Sequence, residues 1–376
     1  MKILIGMPAK ESWGGPARCE PPFVEALANT GVEVETSDYV YGDKEKPTPI
    51  VERVGRVLKT AFRFRRLLRN SRFDLIHLNS AFDAKTILRD SFSLLLMRPR
   101  KAKVFLKLHG SEASGFQSLI RYKILISWLK KNVDGFGVLS NEELATFEQL
   151  GFDRRKFFLV KNVVKFEVPD LLNSIRAAKN ATNLFELLFV ARFIETKGLL
   201  EAIEACARLR RLGLRVRLTC VGDGPLRERA EAEVERLGLQ NVVSFTGYVE
   251  EKKVEHYMAS SDIFVFPTRH PEGFPIALFK AVAAGLPVVT TATRSAVDYL
   301  TDRENGIFCN PDSQSVANAV ELLIRNPKLM ETIRLRNCAM RENFAAETIA
   351  KEYLRIYRKL IGHSLDESTP EKAAKD

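Results

Sequence analysis

The 376-residue sequence predicts an α/β protein built from two Rossmann-like, doubly wound parallel-sheet domains that face a cleft. Strand-like and helix-like stretches alternate in both halves, as in parallel sheets with helical crossovers. Most strand candidates are short, uninterrupted apolar runs, which is typical of strands buried on both faces. A polar stretch over 166–183 breaks the alternation and predicts a linker. Each half is long enough to bury its own core.

The first domain, 1–165, contains six strand candidates separated by helical patterns. The helical patterns include Glu52–Asn70 and Asn141–Leu150. The strands are predicted at Lys2–Met7, Val32–Asp38, Asp74–Leu78, Lys103–Leu108, Gly135–Leu139 and Phe157–Lys161.

The second domain, 184–345, repeats this plan, with helical patterns such as Gly198–Leu212 and Leu226–Leu237. A further helix is predicted over 346–361, and the polar tail 362–376 is predicted to be disordered. The strands are predicted at Glu186–Val190, Arg215–Val221, Val242–Thr246, Ile263–Pro267, Pro287–Thr291 and Gly306–Phe308.

Composition narrows the class of protein. With 45% hydrophobic and 28% charged residues, the chain is neither disordered nor fibrous. No apolar run reaches the roughly 18 residues that span a bilayer, and Met1–Met7 is interpreted as a strand rather than a signal peptide. We therefore expect a cytoplasmic protein. The five cysteines form no CxxC pair and are expected to be reduced. A net charge of +11 favours anionic partners without choosing among nucleic acid, membrane and phosphorylated ligands.

Three segments of the second half carry candidate chemistry. In Phe189–Gly198, Arg192 and Lys197 follow a strand and precede a helix, which places two cations beside free backbone N–H groups. Val221–Leu226 has glycines suited to a tight strand-to-helix turn, and Phe245–Val249 follows a strand. Pro271–Ala277 places an acidic residue before a helix.

In this order the segments resemble the retaining family 4 glycosyltransferases, which use nucleotide-sugar donors and have the GT-B fold. The resemblance covers about Lys2 to Leu360. It implies that the first domain binds the acceptor, that the second binds the nucleotide sugar, and that the final helix crosses back to the first domain.

The resemblance also implies roles for individual residues. Arg192 and Lys197 would hold the donor diphosphate, and Glu272 would face the sugar. Among the catalytic candidates is also His109, which matches a histidine that reaches the donor sugar. The remaining donor-binding candidates are Gly14, Gly15, Gly222, Gly224, Phe245, Gly247, Gly273, Phe274 and Lys280. His77, inside an apolar strand, is interpreted as a core residue.

Lys280 departs from the family pattern. It stands where the family has the second Glu of a Glu-x7-Glu motif, which accepts hydrogen bonds from the ribose hydroxyls. A charged lysine has no acceptor. Three explanations follow: the ribose is held by backbone or another side chain, the donor carries an anionic group, or the donor site is degraded.

The function implied is transfer of a hexose from a nucleotide-diphosphate sugar, UDP-sugar by default, to a glycan or lipid-linked acceptor. The pathway expected is surface polysaccharide, lipopolysaccharide or glycolipid assembly. No Asp-x-Asp stands at a strand end, so neither metal nor cofactor is expected, and Arg192 and Lys197 would neutralise the leaving group. The alternative is a catalytically silent scaffold or sugar-nucleotide-binding protein. Nucleic acid is not expected as a partner, since no zinc-finger spacing or RNA-binding aromatic signature is present.

A basic helix is predicted over 53–72. It contains eight Arg or Lys residues and no acidic residue. Apolar residues recur at helical spacing, so the helix is amphipathic. Two interpretations stay open: attraction of the protein to an anionic membrane surface, or a solvated helix packed on its own sheet.

Overall fold

The computed structural model describes residues 1–8, 15–39, 49–98, 101–111, 122–166 and 183–362. The predicted tail beyond Gly362 and most of the predicted linker lie outside these ranges. The chain divides into two units. Unit 1 comprises Met1–Leu139, Glu143–Val160 and the segment from Ala346; unit 2 comprises Ser140–Glu142 and Lys161–Ala345.

Unit 1 contains a six-stranded, all-parallel sheet in the order β2-β1-β3-β4-β5-β6. Its strands are β1 (Lys2–Met7), β2 (Glu33–Asp38), β3 (Leu75–Phe82), β4 (Lys103–Ser111), β5 (Gly135–Val138) and β6 (Phe157–Leu159). Its helices are α1 (Gly15–Ala28), α2 (Ile50–Asn70), α3 (Ala84–Leu96), α4 (Lys123–Asn132), α5 (Asn141–Gln149) and the final helix, Ala346–Ile361.

Strand β3 is longer than the apolar pattern predicts. The pattern stops at Leu78, yet the strand continues to Phe82, because its polar residues Asn79 and Ser80 are buried with hydrogen-bond partners. Asp83 then starts α3 with a capping box, in which its carboxylate accepts from the backbone of Thr86.

The final helix packs on α1 and β4 of unit 1. His77 is fully buried there, which confirms its interpretation as a core residue. The Tyr357 hydroxyl lies 2.6 Å from His77 Nδ1, and the Tyr353 ring stacks on the His77 ring. Burial lowers the pKa of His77 to about 3, so its ring is neutral and Nδ1 can accept from the tyrosine.

Unit 2 contains a second all-parallel sheet in the order β12-β11-β10-β7-β8-β9. Its strands are β7 (Phe185–Val190), β8 (Val216–Val221), β9 (Val243–Phe245), β10 (Ile263–Phe266), β11 (Val288–Thr290) and β12 (Gly306–Phe308). Its helices are α6 (Leu199–Arg211), α7 (Arg227–Arg236), α8 (Glu251–Ser260), α9 (Ile276–Ala283), α10 (Arg294–Tyr299), α11 (Ser313–Arg325) and α12 (Pro327–Met340). The final helix of unit 1, Ala346–Ile361, is α13.

The prediction of two doubly wound parallel sheets is confirmed. Strand bounds differ from those predicted by one or two residues in most cases, as is usual where strands fray into loops. Among the described residues, no helix combines the length and the apolar character needed to cross a bilayer.

Candidate active site

The carboxyl edge of the unit 2 sheet collects the charged residues that the motifs single out. Strand β7 ends at Val190, and the following loop carries Arg192 and then Lys197 directly before α6. The Arg192 side chain is exposed, whereas Lys197 is mostly buried. The first backbone N–H groups of a helix have no partner within the helix and favour anions. The loop therefore combines two cations with a helix N-terminus.

Glu272 comes from another loop, after β10, and pairs with Lys197. Its Oε1 accepts a hydrogen bond from Lys197 Nζ and lies 3.4 Å from Thr268 Oγ1. The Thr268 hydroxyl also donates to the backbone carbonyl of Thr196, at 3.0 Å. The structure thus brings together a cation and a carboxylate that lie 75 positions apart in the sequence.

A glycine allows these two loops to meet. Gly198 has a φ of 83°, and a Cβ on it would lie 2.3 Å from the carbonyl oxygen of Pro267. A side chain at this position would force the Lys197 loop away from the Glu272 loop.

Gly222 and Gly224 serve a similar contact. Their φ angles are 135° and 155°, and a Cβ on either would lie within 2.5 Å of the carbonyl oxygen of Ala191 or Phe193. These glycines therefore let the turn after β8 pack closely against the backbone on both sides of Arg192. The turn after β8 supports the loop that carries this arginine.

Phe245 and Gly247 lie beside the same loops. Gly222 donates its backbone N–H to the Gly247 carbonyl, at 3.0 Å. The half-buried Phe245 ring meets the Phe193 ring edge-on, and the Arg227 guanidinium lies 5.6 Å from its centroid. The loops after β7, β8 and β9 thus form one connected edge.

Gly273 and Phe274 follow Glu272, but the Phe274 side chain belongs to the core. Its buried ring stacks on Phe279 at 4.0 Å and meets Tyr299 edge-on. As a donor-binding candidate, Phe274 can offer only its backbone, because its side chain anchors the loop from behind.

Lys280 is buried and neutralised. Its side chain is 4% exposed, and Nζ donates to Glu251 and, at 2.8 Å, to Glu255, both on α8. A buried ammonium is costly without such partners. Glu255 is also buried, but Glu251 is 41% exposed. The three side chains together carry one net negative charge, the same as a single glutamate, and it reaches solvent at Glu251.

The carboxyl edge of the unit 1 sheet holds a buried polar network. Lys107 Nζ donates to Glu20 Oε1 at 2.7 Å, and both side chains are buried. Asn79 Nδ2 donates to Glu20 Oε2 at 3.1 Å and to the Gly6 carbonyl at 3.0 Å. His109 Nε2 lies 2.7 Å from Asn79 Oδ1 and 3.4 Å from Glu20 Oε1.

This network determines the tautomer of His109. Because the Asn79 amide nitrogen donates to two oxygens, its Oδ1 must be the atom that faces His109, and Nε2 must carry the hydrogen. Burial, with the Lys107 charge nearby, lowers the pKa of His109 to about 4. At neutral pH the ring is therefore neutral, and Nδ1 is its acceptor atom.

Glu20 is ionised in this network. Burial by itself raises the pKa of Glu20, but Lys107 and the His109 hydrogen bond outweigh it and hold this pKa well below the usual range. Cys19, Glu20 and His109 place potential metal-ligand atoms within 4.8 Å of one another. However, the Lys107 ammonium already holds the carboxylate, and burial raises the pKa of the Cys19 thiol. The cluster suits an internal ion pair better than a metal ion.

The sequence motifs did not show which residues lie beside His109 in unit 1 or pair with Lys280 in unit 2. Gly15 is the first residue of α1, and Gly14 lies outside the described residues. Lys107 could have been noticed as a charged residue inside the apolar run of β4, but no sequence pattern pointed to Glu20 or Glu251.

Comparison with known proteins identifies the family. The model for "Glycosyl transferases group 1" matches residues 173–337, and that for "Glycosyltransferase Family 4" matches residues 18–168. The chain belongs to the family 4 glycosyltransferases.

Relatives of this chain are named as glycosyltransferases. The chain is 28% identical over 227 residues to the putative colanic acid biosynthesis glycosyltransferase WcaL of Escherichia coli; the match covers 59% of this chain and 55% of WcaL. The chain thus spans about half the length of that relative. It is 25% identical over 341 residues to the phosphatidyl-myo-inositol mannosyltransferase of Mycobacterium leprae, covering 89% of this chain and 87% of the relative.

Solved structures share the fold of this chain. Anabaena HepE, solved in complex with UDP and glucose, superposes with a TM-score of 0.72 at 20% identity, covering 96% of this chain and all of HepE. The predicted GT-B fold is confirmed.

Proposed function

We propose that this glycosyltransferase moves a hexose from a nucleotide-diphosphate sugar to a glycan or lipid-linked acceptor in surface polysaccharide, lipopolysaccharide or glycolipid assembly. The observation that carries the proposal is the unit 2 edge, where exposed Arg192 and the Lys197–Glu272 pair flank the start of α6. Two observations on similar proteins support the proposal. Relatives are named for colanic acid and phosphatidyl-myo-inositol, and a structural neighbour was solved with UDP and glucose.

In the proposed reaction, the bond between the anomeric carbon and the diphosphate breaks, and its electron pair stays on the phosphate oxygen. Arg192, Lys197 and the N-terminus of α6 stabilise this developing charge without a metal ion. The acceptor oxygen bonds to the anomeric carbon, and its proton passes to a donor phosphate oxygen or a nearby base. Retention of the anomeric configuration follows from the family resemblance.

Glu272 would position the sugar, and its pairing with Lys197 gives it a second task. The two side chains hydrogen-bond to each other, so Glu272 helps to hold Lys197 in place. A prearranged cation loses less conformational entropy on binding. By the family resemblance, His109 would reach the donor sugar.

Glu251 would take the ribose-contacting role of the glutamate that Lys280 replaces. Lys280 is held by two carboxylates, so it does not offer its charge to an anionic donor group. Of the three explanations for Lys280, this arrangement favours contact of the ribose through another side chain.

The test is the release of nucleoside diphosphate and the transfer of labelled sugar from a panel of donors, with and without EDTA. We expect turnover that EDTA leaves unchanged and that Arg192→Ala lowers. Arg211→Ala, an exposed arginine at the end of α6, is the matched control. Loss of turnover in EDTA would contradict metal independence. Nucleotide binding without any turnover would instead favour the silent sugar-nucleotide-binding protein.

A further inference from the structure

The outward stripe of α3 is apolar where a surface helix is normally polar. Leu88, Phe92 and Leu95 are 52%, 42% and 52% exposed, and their spacing places them on one face of the helix. The opposite face is buried, through Ile87 and Leu94 among others. Because α3 already packs its inner face on the sheet, the outer stripe has no role in the core of unit 1.

Basic helices flank this stripe on both sides, since α3 packs against α2 and α4. On α2, Phe62 is 56% exposed and, with Arg65, Arg66, Arg69 and Asn70, lines an open hollow. On α4, the exposed residues include Ile124, Lys123 and Lys131.

Acidic residues are scarce on these three helices. On α2 the acidic residue is Glu52, in the first turn, where it pairs with Arg56. The segment 53–72 has none, and α4 has none over 123–132. On α3, Asp90 is buried against Arg89. The surface is thus a mixture of exposed large apolar side chains and cations with little to neutralise them.

That combination matches the chemistry of an anionic bilayer surface. Apolar side chains on an interfacial helix enter the boundary between headgroups and acyl chains, while the surrounding cations attract the lipid phosphates. A purely electrostatic partner such as RNA would use the cations but would leave Leu88, Phe92 and Leu95 in water. A purely apolar partner would leave the arginines unpaired.

We propose that the outer surface of α2, α3 and α4, here called the lipid face, docks on an anionic phospholipid bilayer. Phe62, Leu88, Phe92 and Leu95 enter the headgroup region, and Arg65, Arg66 and Arg69 bind lipid phosphates. The proposal extends the proposed function in that a lipid-linked acceptor would be met at this surface. Binding to lipid itself does not depend on activity.

The experiment is flotation of the full chain with vesicles of phosphatidylcholine alone or with about 30% phosphatidylglycerol. We expect binding to the anionic vesicles that weakens with salt. Replacing three lipid-face arginines should lower the partition coefficient on the order of 100-fold. Replacing the apolar stripe should lower it on the order of 100-fold or more, because three large side chains are about half exposed before binding. The two variants are Arg65→Gln/Arg66→Gln/Arg69→Gln and Leu88→Gln/Phe92→Gln/Leu95→Gln.

A matched control changes exposed residues of the same types in unit 2. Arg210, Arg211, Leu212 and Leu335 are all exposed there, and their replacement by Gln should leave vesicle binding unchanged. All variants are surface changes, and circular dichroism verifies that each is folded.

Four outcomes would overturn the lipid face. The first is that the wild type does not float with the vesicles, and the second is that both lipid-face variants still float. The third is that RNA displaces the protein from vesicles while the stripe variant binds them as the wild type does. The fourth is that the wild type self-associates and only the stripe variant loses this self-association, while vesicle binding persists. Nucleotide binding, measured on the same variants, separates this proposal from the proposed function. Flotation without nucleotide binding would support docking through the lipid face but not the proposed function.

Discussion

The two sheets use charge in opposite ways at the same structural position. At the carboxyl edge of unit 1, Glu20 and Lys107 are buried and satisfy each other. At the carboxyl edge of unit 2, Arg192 is exposed, and Lys197 and Glu272 keep partial access to solvent. A buried charge influences the protonation state of neighbouring side chains, whereas an exposed charge can bind a ligand. We infer that unit 1 uses its ion pair to prepare His109, and that unit 2 uses its cations to bind the donor.

The sharpest test of this contrast is removal of one ammonium from each unit. Lys107→Met leaves the Glu20 carboxylate buried without its cation, so we expect the free energy of unfolding to fall by about 3–5 kcal/mol. Lys197→Met leaves Glu272 with some access to solvent and with the Thr268 hydroxyl nearby, so it should cost less, about 1–2 kcal/mol. Urea unfolding at neutral pH measures both. An equal fall in the free energy of unfolding of the two variants would contradict this contrast between the two ion pairs.

The state of His109 predicts an acid-sensitive unit 1. Its pKa is about 4 when folded, against about 6.5 for an unperturbed histidine, so the unfolded chain binds more protons between these values. The free energy of unfolding should therefore fall as the pH drops from about 6.5 to 4, by up to about 1.4 kcal/mol per pH unit from this histidine.

His109→Gln should flatten this dependence by one histidine's share, whereas His256→Gln, on the exposed side of α8, should not. His77, with its pKa near 3, contributes in the same direction in both variants. Unfolding curves measured from pH 7 to 4 make the comparison. An unchanged slope in His109→Gln would mean that the buried histidine is not neutral.

The exposed charge of unit 2 should matter for catalysis more than for stability. We expect Arg192→Ala to lower kcat/KM by about 100-fold, which corresponds to about 2.7 kcal/mol of transition-state stabilisation. Its melting temperature without ligand should remain that of the wild type, because an exposed arginine contributes little to stability. Steady-state kinetics and thermal unfolding of the same preparation provide both numbers.

The smallest effect is expected at Glu251. Glu251→Gln removes the half-exposed carboxylate but leaves Lys280 paired with Glu255. We expect KM for the nucleotide sugar to rise about tenfold, with kcat changed less, since a ribose contact acts on binding rather than on the bond that breaks. Glu250→Gln, at the preceding position, is the control. A rise in KM in both variants would indicate a general loss of charge instead.

Local patterns in the sequence predicted the architecture well. Parallel strands buried on both faces are apolar runs, and such runs located the strands of both sheets to within a few residues. The largest difference is β3, whose last residues are polar but buried. They continue the strand because Asn79 donates to Glu20, 59 positions away, and Ser80 donates to Asp90 on the following helix.

The site was predictable where a motif is contiguous and not where it is assembled by folding. Arg192 and Lys197 occur in one loop after β7, so the sequence located both at the carboxyl edge of the sheet, and their shared role in donor binding stays a prediction. The pairing of Lys280 with Glu251 joins two helices 29 positions apart. The sequence showed only the missing glutamate, because which carboxylate faces Lys280 depends on how α8 packs beside α9.

We expect the exposed cation of unit 2, Arg192, to bind a nucleoside diphosphate. The most direct measurement is a thermal-shift panel of UDP, GDP, ADP and CMP, with their common sugars, on the wild type, Arg192→Ala and Arg211→Ala. A ligand at about 100 times its Kd stabilises a protein by about 2.7 kcal/mol, which raises the melting temperature by several degrees. We predict such a shift for one nucleotide in the wild type and in Arg211→Ala, and its loss in Arg192→Ala. No shift with any nucleotide, or an equal shift in all three proteins, would contradict the claim.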